Sequence, residues 1–151
     1  MDGDSHVDVM APLGCVGFRV RRTSRALTAF YNDRMRGAGI RITQWPLLAA
    51  LRGAGALTVS ELADALGTDQ STISRSLQPL VRDGLVDLTE EGDARKRYAR
   101  LTSQGVATYN EAYRLWKQAQ DDVLSMLGPA WDGIEEKLEA LETSVRDPQS
   151  S

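Results

Sequence analysis

Residues 58–102, TVSELADALGTDQSTISRSLQPLVRDGLVDLTEEGDARKRYARLT, constrain the fold more than any other part of the chain. Thr58 with Glu61 three positions on is a capping box, and it starts a helix whose inward stripe is Leu62, Ala63 and Leu66. Gly67 suits the end of that helix. Thr68 or Asp69 can cap the next one, which the spacing of Ile73, Leu77, Leu80 and Val81 predicts over 70–83, with Gly84 as its stop. Residues 85–89 alternate as a short strand, 90–94 carry Gly92 and read as a hairpin tip, and 96–101 return as the second strand. Such a hairpin needs helices beneath it. Helix, tight turn, helix, hairpin is the order of a winged helix-turn-helix, a module that lays its second helix in the DNA major groove.

A helix in that position needs one anchored face and one polar face. Gln70, Ser71, Thr72, Ser74, Arg75, Gln78 and Arg82 supply the polar one. Arginine bonds bidentately to guanine and glutamine to adenine, while serine and threonine hydroxyls hold phosphates. Thr72 and Arg75 are therefore expected near the groove, and Ser71 or Ser74 near the backbone. Gln78 is a base reader or an edge contact, and Arg82 lies far enough along to meet core or solvent instead. The hairpin adds Arg95, Lys96 and Arg97. Asp93 can hold Arg95 across the turn, and a narrow minor groove favours an inserted arginine. Lys96 and Arg97 alternate in direction, so one of them shares the face of Arg95.

Long helical patterns flank this module. From Pro12, the residues Val16, Val20, Leu27, Phe30, Tyr31 and Met35 recur at roughly helical spacing, with Arg19, Arg22, Arg25 and Arg34 on other faces and Gly37 and Gly39 as the end. Thr43 is the expected cap of a helix over 44–52, where Pro46 is tolerated in the first turn. Thr102 or Ser103 starts the longest helix, with Val106, Tyr109, Tyr113, Trp116, Gln120, Val123 and Leu127 as its seam. After Gly128 and Pro129, a last helix carries Trp131, Ile134, Leu138, Leu141 and Val145. These helices expose more apolar stripe than a small domain absorbs, so a two-fold homodimer reading a palindromic double-stranded DNA operator is expected. The fold class is mainly α: a winged helix-turn-helix with a two-stranded wing and a helical dimerisation region. The expected division of the single domain, 1–151, is a DNA-binding lobe at 43–102 and dimerisation segments at 12–36 and 103–146.

Composition narrows the function classes. The chain has 151 residues and a formal charge of −3. Residues 19–57 hold eight arginines and one aspartate, whereas 103–151 hold nine acids and four bases. Distribution rather than total charge decides whether one surface can face DNA. The acidic total, with Glu90 and Glu91 beside the hairpin tip, motivates an alternative: a winged-helix protein-interaction module without DNA binding. No apolar run spans a membrane, and no basic stretch leads into an apolar one at the start, so no membrane partner and no secretory signal are expected. A lone cysteine, Cys15, and a lone histidine, His6, form neither a disulfide framework nor an ordinary zinc site; a reducing, cytoplasmic setting with no metal and no cofactor is expected. There is no catalytic constellation, phosphate loop or dinucleotide fingerprint, so the chain is not expected to be an enzyme and has no catalytic residues to nominate.

Across about residues 13–145 the chain resembles the MarR family of bacterial transcriptional regulators. The resemblance rests on RALTAFYNDRM, GIRITQWPLLAAL, TVSELADALGTDQSTISRSLQPLVRDGLV and DARKRYARLTSQG. In the last of these, the D-x-R pair is Asp93 and Arg95, followed by Leu101, Thr102 and Gly105. The resemblance implies a triangular homodimer on pseudo-palindromic operators, usually a repressor, released by a small phenolic or lipophilic compound or by an oxidant. Such an effector would sit between the DNA-binding lobe and the dimer helices, and the candidates for its lining are Phe30, Tyr31, Arg34, Trp45, Leu48, Tyr113 and Trp116. The family also contains peroxide sensors with a cysteine in the first helix. Cys15 is similar in place, with Arg19, Arg21 and Arg22 following, and a thiol-responsive regulator is the second alternative. Those sensors usually add a tyrosine beside the glutamine that begins the second helix, where this chain has Ile42 before Gln44. A buried, inert thiol at the dimer end is the expectation for Cys15.

Overall fold

The computed structural model describes residues 11–91 and 96–146. Six α-helices and three short strands follow in the order α1 (Val16–Arg34), α2 (Trp45–Ala54), β1 (Ala56–Thr58), α3 (Val59–Ala65), α4 (Gln70–Arg82), β2 (Val86–Glu91), β3 (Lys96–Leu101), α5 (Ser103–Leu127) and α6 (Ala130–Arg146). Short 3-10 turns at Ala11–Gly14 and Arg36–Ala38 bracket α1. The expected first helix therefore starts at Val16 rather than Pro12. Cys15 is its N-cap, with Sγ accepting from the backbone N–H of Phe18 at 3.2 Å.

The capping chemistry read from the sequence forms at three of four helix starts. Thr58 and Glu61 make a complete capping box. Asp69 caps α4, accepting from the Thr72 backbone N–H at 2.8 Å, and Thr102 caps α5, accepting from the Gly105 N–H at 2.9 Å. Thr43 does not cap α2. The cap position is Gln44, already in right-handed helical conformation, and its Oε1 accepts from the Arg41 N–H at 2.9 Å instead. Consecutive turns over 41–45 feed the chain into α2, and Pro46 removes one of the donors that a cap would otherwise have to satisfy.

The wing is part of a three-stranded antiparallel sheet, order β1-β3-β2, not a two-stranded hairpin. Thr58 pairs with Tyr98 and Ala56 with Arg100, so the three residues before α3 cover the free edge of β3. A strand this short carries no periodicity to read. Across the hairpin Val86 opposes Leu101, Leu88 opposes Ala99, and Glu90 opposes Arg97. Val86 and Ala99 are buried, which sets this face of the sheet toward the helices.

The core lies within the lobe formed by α2, α3, α4 and the sheet. Leu48, Leu51, Leu62, Ile73, Leu77, Leu80 and Val86 are its fully buried large side chains, joined by Met35 from the end of α1. Along α5 the buried positions are Gly105, Ala112 and Ala119, not the expected seam of large residues. Tyr113 is exposed; Tyr109, Trp116 and Val123 are half-buried. Small side chains let α5 approach α2 and the end of α1 closely, and the bulky ones splay to either side of that contact. Neither α1 nor α6 buries a residue within the single chain. Val16, Val20 and Leu27 on α1, and Ile134, Leu138 and Val145 on α6, stay exposed. No described helix is long and apolar enough to cross a membrane.

Candidate nucleic-acid interface

Helix α4 is strongly two-sided. Ile73, Leu77 and Leu80 anchor it in the core, while Gln70, Ser71, Ser74, Arg75 and Gln78 are exposed. At 3.6 residues per turn, Ser71, Arg75, Gln78 and Arg82 fall in one row opposite the buried face. Arg82 points to solvent, with 76% of its side chain accessible, and pairs at 3.2 Å with the neighbouring Asp83. It was expected to meet core or solvent. The four-, three- and four-residue steps from Ser71 were the signal that it extends the polar row.

Thr72 is placed differently from the rest. It is half-buried, its hydroxyl donates to Asp69 Oδ2 at 2.6 Å, and the same oxygen accepts from Arg75 Nη2 at 3.3 Å. The chain Asp69–Thr72–Arg75 ties the guanidinium to the start of α4. The Thr72 hydroxyl, then its backbone N–H, hold the Asp69 carboxyl below the usual aspartate range, so it is the charged form that caps the helix. Glu61 is held low in the same way at the start of α3, first by the backbone N–H of Thr58 and then by its hydroxyl.

Two clefts flank α4. The first, about 390 Å³, runs between α4 and the wing; Ser74, Gln78 and Arg82 rim it from the helix, and Arg97 from β3. Arg97 stands on the same sheet face as Ala99, beside α4, and Lys96 on the opposite face. Both are exposed. The second cleft, about 400 Å³, lies on the other flank, between Ser76, Pro79 and Arg82 of α4 and Arg41, Thr43 and Gln44 of the turn entering α2. Asp93 and Arg95 lie outside the described residues.

The residues nominated for an effector fall into two groups and one outlier. Trp45 stacks on Tyr109 (centroids 5.0 Å apart) and on Trp116 (5.5 Å), with Tyr113 packed against both tryptophans. Tyr109 was not nominated, although it stands one turn before Tyr113 on α5. Phe30, Tyr31 and Arg34 form the second group: the Arg34 guanidinium lies 4.1 Å from the Phe30 ring centroid and 3.5 Å from Asp122, and the Tyr31 hydroxyl donates to Gln120. Burial of Tyr31 raises its phenol pKa. Leu48 belongs to neither group; it is wholly buried in the core. The Trp45 cluster is a set of rings filling one another's space. Cys15 is exposed in the single chain, not buried; it occupies a helix start that none of the described residues covers.

A model of the MarR family matches residues 38–97, from the approach to α2 through the wing. The transcriptional regulator MosR of M. tuberculosis, solved in complex with DNA, is 30% identical; the superposition covers 89% of this chain and 98% of that one, with a TM-score of 0.80. The chain belongs to the MarR family. This MarR-family chain is also 25% identical to BpsR of Bordetella bronchiseptica, over 85% of its own length and 94% of that protein's, at a TM-score of 0.73. The BpsR structure concerns regulation of DNA binding by 6-hydroxynicotinic acid. The HTH-type transcriptional regulator YwoH of Bacillus subtilis is 25% identical over 93 residues, 62% of this chain and 68% of that one. MarR-family proteins are regulators that act by binding DNA, not enzymes.

Proposed function

We propose that this MarR-family regulator is a repressor that binds a palindromic double-stranded DNA operator as a homodimer, with α4 of each protomer in a major groove. The observation that carries the reading is the exposed row Ser71, Arg75, Gln78 and Arg82 on a helix whose opposite face is locked into the core. A rigidly mounted helix presents its side chains to base edges in one register. Arg75 and Gln78 read bases; Gln70, Ser71 and Ser74 take phosphates; Thr72 positions Arg75. On the same reading Arg95 is the minor-groove contact, and Lys96 and Arg97 contact the backbone nearby. On this reading, residues 43–102 are the DNA-binding lobe, and 12–36 with 103–146 form the dimerisation region. A small aromatic or lipophilic ligand releases the DNA by entering among Phe30, Tyr31, Arg34, Trp45, Tyr113 and Trp116. The parallel with BpsR supports a small aromatic acid as its class. The ring cluster has to open to admit it, since its members occupy the space between the lobe and α5.

Selection of bound sequences from random duplex DNA tests the reading. A palindromic consensus is expected, with Arg75→Ala losing about 1–3 kcal/mol of discrimination at one base pair per half-site. A folded dimer that enriches no sequence, or an Arg75→Ala variant with unaltered preference, overturns it.

A further inference from the structure

We infer that Arg41, in the turn entering α2, grips a DNA phosphate on the side of α4 away from the wing. The inference rests on the reading that α4 enters the major groove. A helix with its side chains is about 10–12 Å across and the groove about 12 Å wide, so the helix fills it, and the two sugar-phosphate strands run along its flanks. One flank of α4 faces the wing, with Arg97 in the cleft between them. The other faces the second cleft, whose rim carries Arg41, Thr43 and Ser76.

The chemistry there suits a phosphate oxygen. Arg41 is exposed, and among the described residues its guanidinium makes no hydrogen bond or ion pair. Nearby basic side chains are already engaged: Arg36 with Asp33 at 2.6 Å and Arg82 with Asp83 at 3.2 Å. The second of these pairs also answers the one acid on the cleft rim, Asp83. The backbone under Arg41 is fixed on both sides. Its own N–H donates to Gln44 Oε1 at 2.9 Å, and the next N–H, of Ile42, donates to Asn32 Oδ1 of α1 at 2.8 Å. An unpaired guanidinium on a braced turn is set to make a bidentate, sequence-independent contact. Arg41 on one flank and Arg97 on the other then straddle the groove that α4 reads, which fixes the depth and register of the helix without specifying a base.

The test compares the full-length protein with Arg41→Gln and Arg41→Lys, on the selected operator and on an unrelated duplex, across a salt series. Both variants leave an exposed position unchanged in packing, and equal melting temperatures check this. Arg41→Gln is expected to weaken binding to both duplexes by the same factor. The slope of log affinity against log salt should fall by about 0.9 for each phosphate released, about 1.8 for a dimer. Arg41→Lys keeps the charge and so the wild-type salt slope, but loses part of the affinity with the second hydrogen bond. Operators carrying one neutral methylphosphonate locate the contact: the substitution that weakens the wild-type protein but adds nothing to Arg41→Gln marks the partner phosphate, expected on the strand away from the wing. An unchanged salt slope in Arg41→Gln, a loss confined to the operator, or no methylphosphonate with this pattern overturns the inference. If the wild-type protein enriches a palindrome that Arg75→Ala no longer reads, any such failure concerns Arg41 alone; if the wild-type protein binds no DNA, both readings fall.

Discussion

Gly105 is the third residue of α5, and a β-carbon built there would stand 1.9 Å from the carbonyl oxygen of Leu85. That oxygen cannot move freely, because it already accepts from the backbone N–H of Thr102 at 3.1 Å, while the Thr102 hydroxyl donates to the carbonyl of Gly84 at 2.7 Å. Three residues thus clamp the start of α5 to the segment that leaves α4. Helix propensity taken alone puts alanine about 1 kcal/mol ahead of glycine at a helical position. The contact with Leu85 reverses the sign. Gly105→Ala is expected to destabilise the protein by about 1–3 kcal/mol, the range for overpacked sites, read as a lower urea midpoint at fixed protomer concentration. An unchanged or raised midpoint would mean that the two segments separate at little cost. Local spacing does not separate Gly105 from Gly53 or Gly133, which have open space around them; only its place in DARKRYARLTSQG, within the family resemblance, does.

Helices α3 and α4 begin on hydrogen bonds to a charged carboxylate, and this makes their stability depend on acid. The Glu61 and Asp69 carboxyls are both held below their ordinary values, chiefly by hydrogen bonds from Thr58 and Thr72 respectively. A carboxyl depressed by folding contributes its stability above the unfolded value, about 4.3 for glutamate and 3.9 for aspartate. It loses that contribution as pH falls through the folded value. Thermal unfolding is therefore expected to show a falling midpoint as pH drops below about 4.3, and Glu61→Gln to flatten that fall while lowering the midpoint at neutral pH. A variant that follows the wild-type acid profile would show that the capping box carries no linkage. Both caps were legible because a cap is a local event, settled within four residues. The seam of α5 was not. Its large residues follow helical spacing, but Gly105, Ala112 and Ala119, seven apart, are what α5 buries. Periodicity identifies an apolar face; whether a neighbour approaches its bulky or its small side depends on the neighbour.

At the scale of the whole molecule, the lobe is complete in itself while the outer helices are not. The apolar stripes of α1 and α6 have no cover among the described residues; Val16 is 60% exposed and Val145 68%. Helix α6 rests on α5 and reaches the lobe through Arg146, whose Nη2 lies 3.4 Å from the carbonyl of Gly67. Helix α1 carries Arg19, Arg21, Arg22 and Arg25 with no acid before Asp33, whereas α6 carries Asp132, Glu135, Glu136, Glu139 and Glu142. In the proposed homodimer a second copy would offer both an apolar surface and the opposite charge. Leu138→Glu, in the middle of the α6 stripe, is expected to yield a folded monomer with much weaker operator binding. Sedimentation equilibrium gives the mass, and the thermal midpoint should rise with protomer concentration in the wild-type protein but not in the variant. A variant that remains dimeric would move the interface away from α6.

The sequence by itself determined the helix-turn-helix, its caps, the hairpin and the polar face of α4. Each rests on interactions between residues a few positions apart, which residue type and spacing report directly. Tertiary structure decided what those elements meet. It placed β1 on the edge of β3, because a three-residue strand has no pattern of its own and exists only through its partner. It made Gln44 rather than Thr43 the entry to α2, because the turn is held by Asn32 of another helix. It packed Trp45 against rings from α5, some sixty to seventy positions away. And it brought Arg41 alongside Ser76 and Arg82. Contacts between residues far apart in the chain are set by how whole elements pack, and no local pattern encodes them.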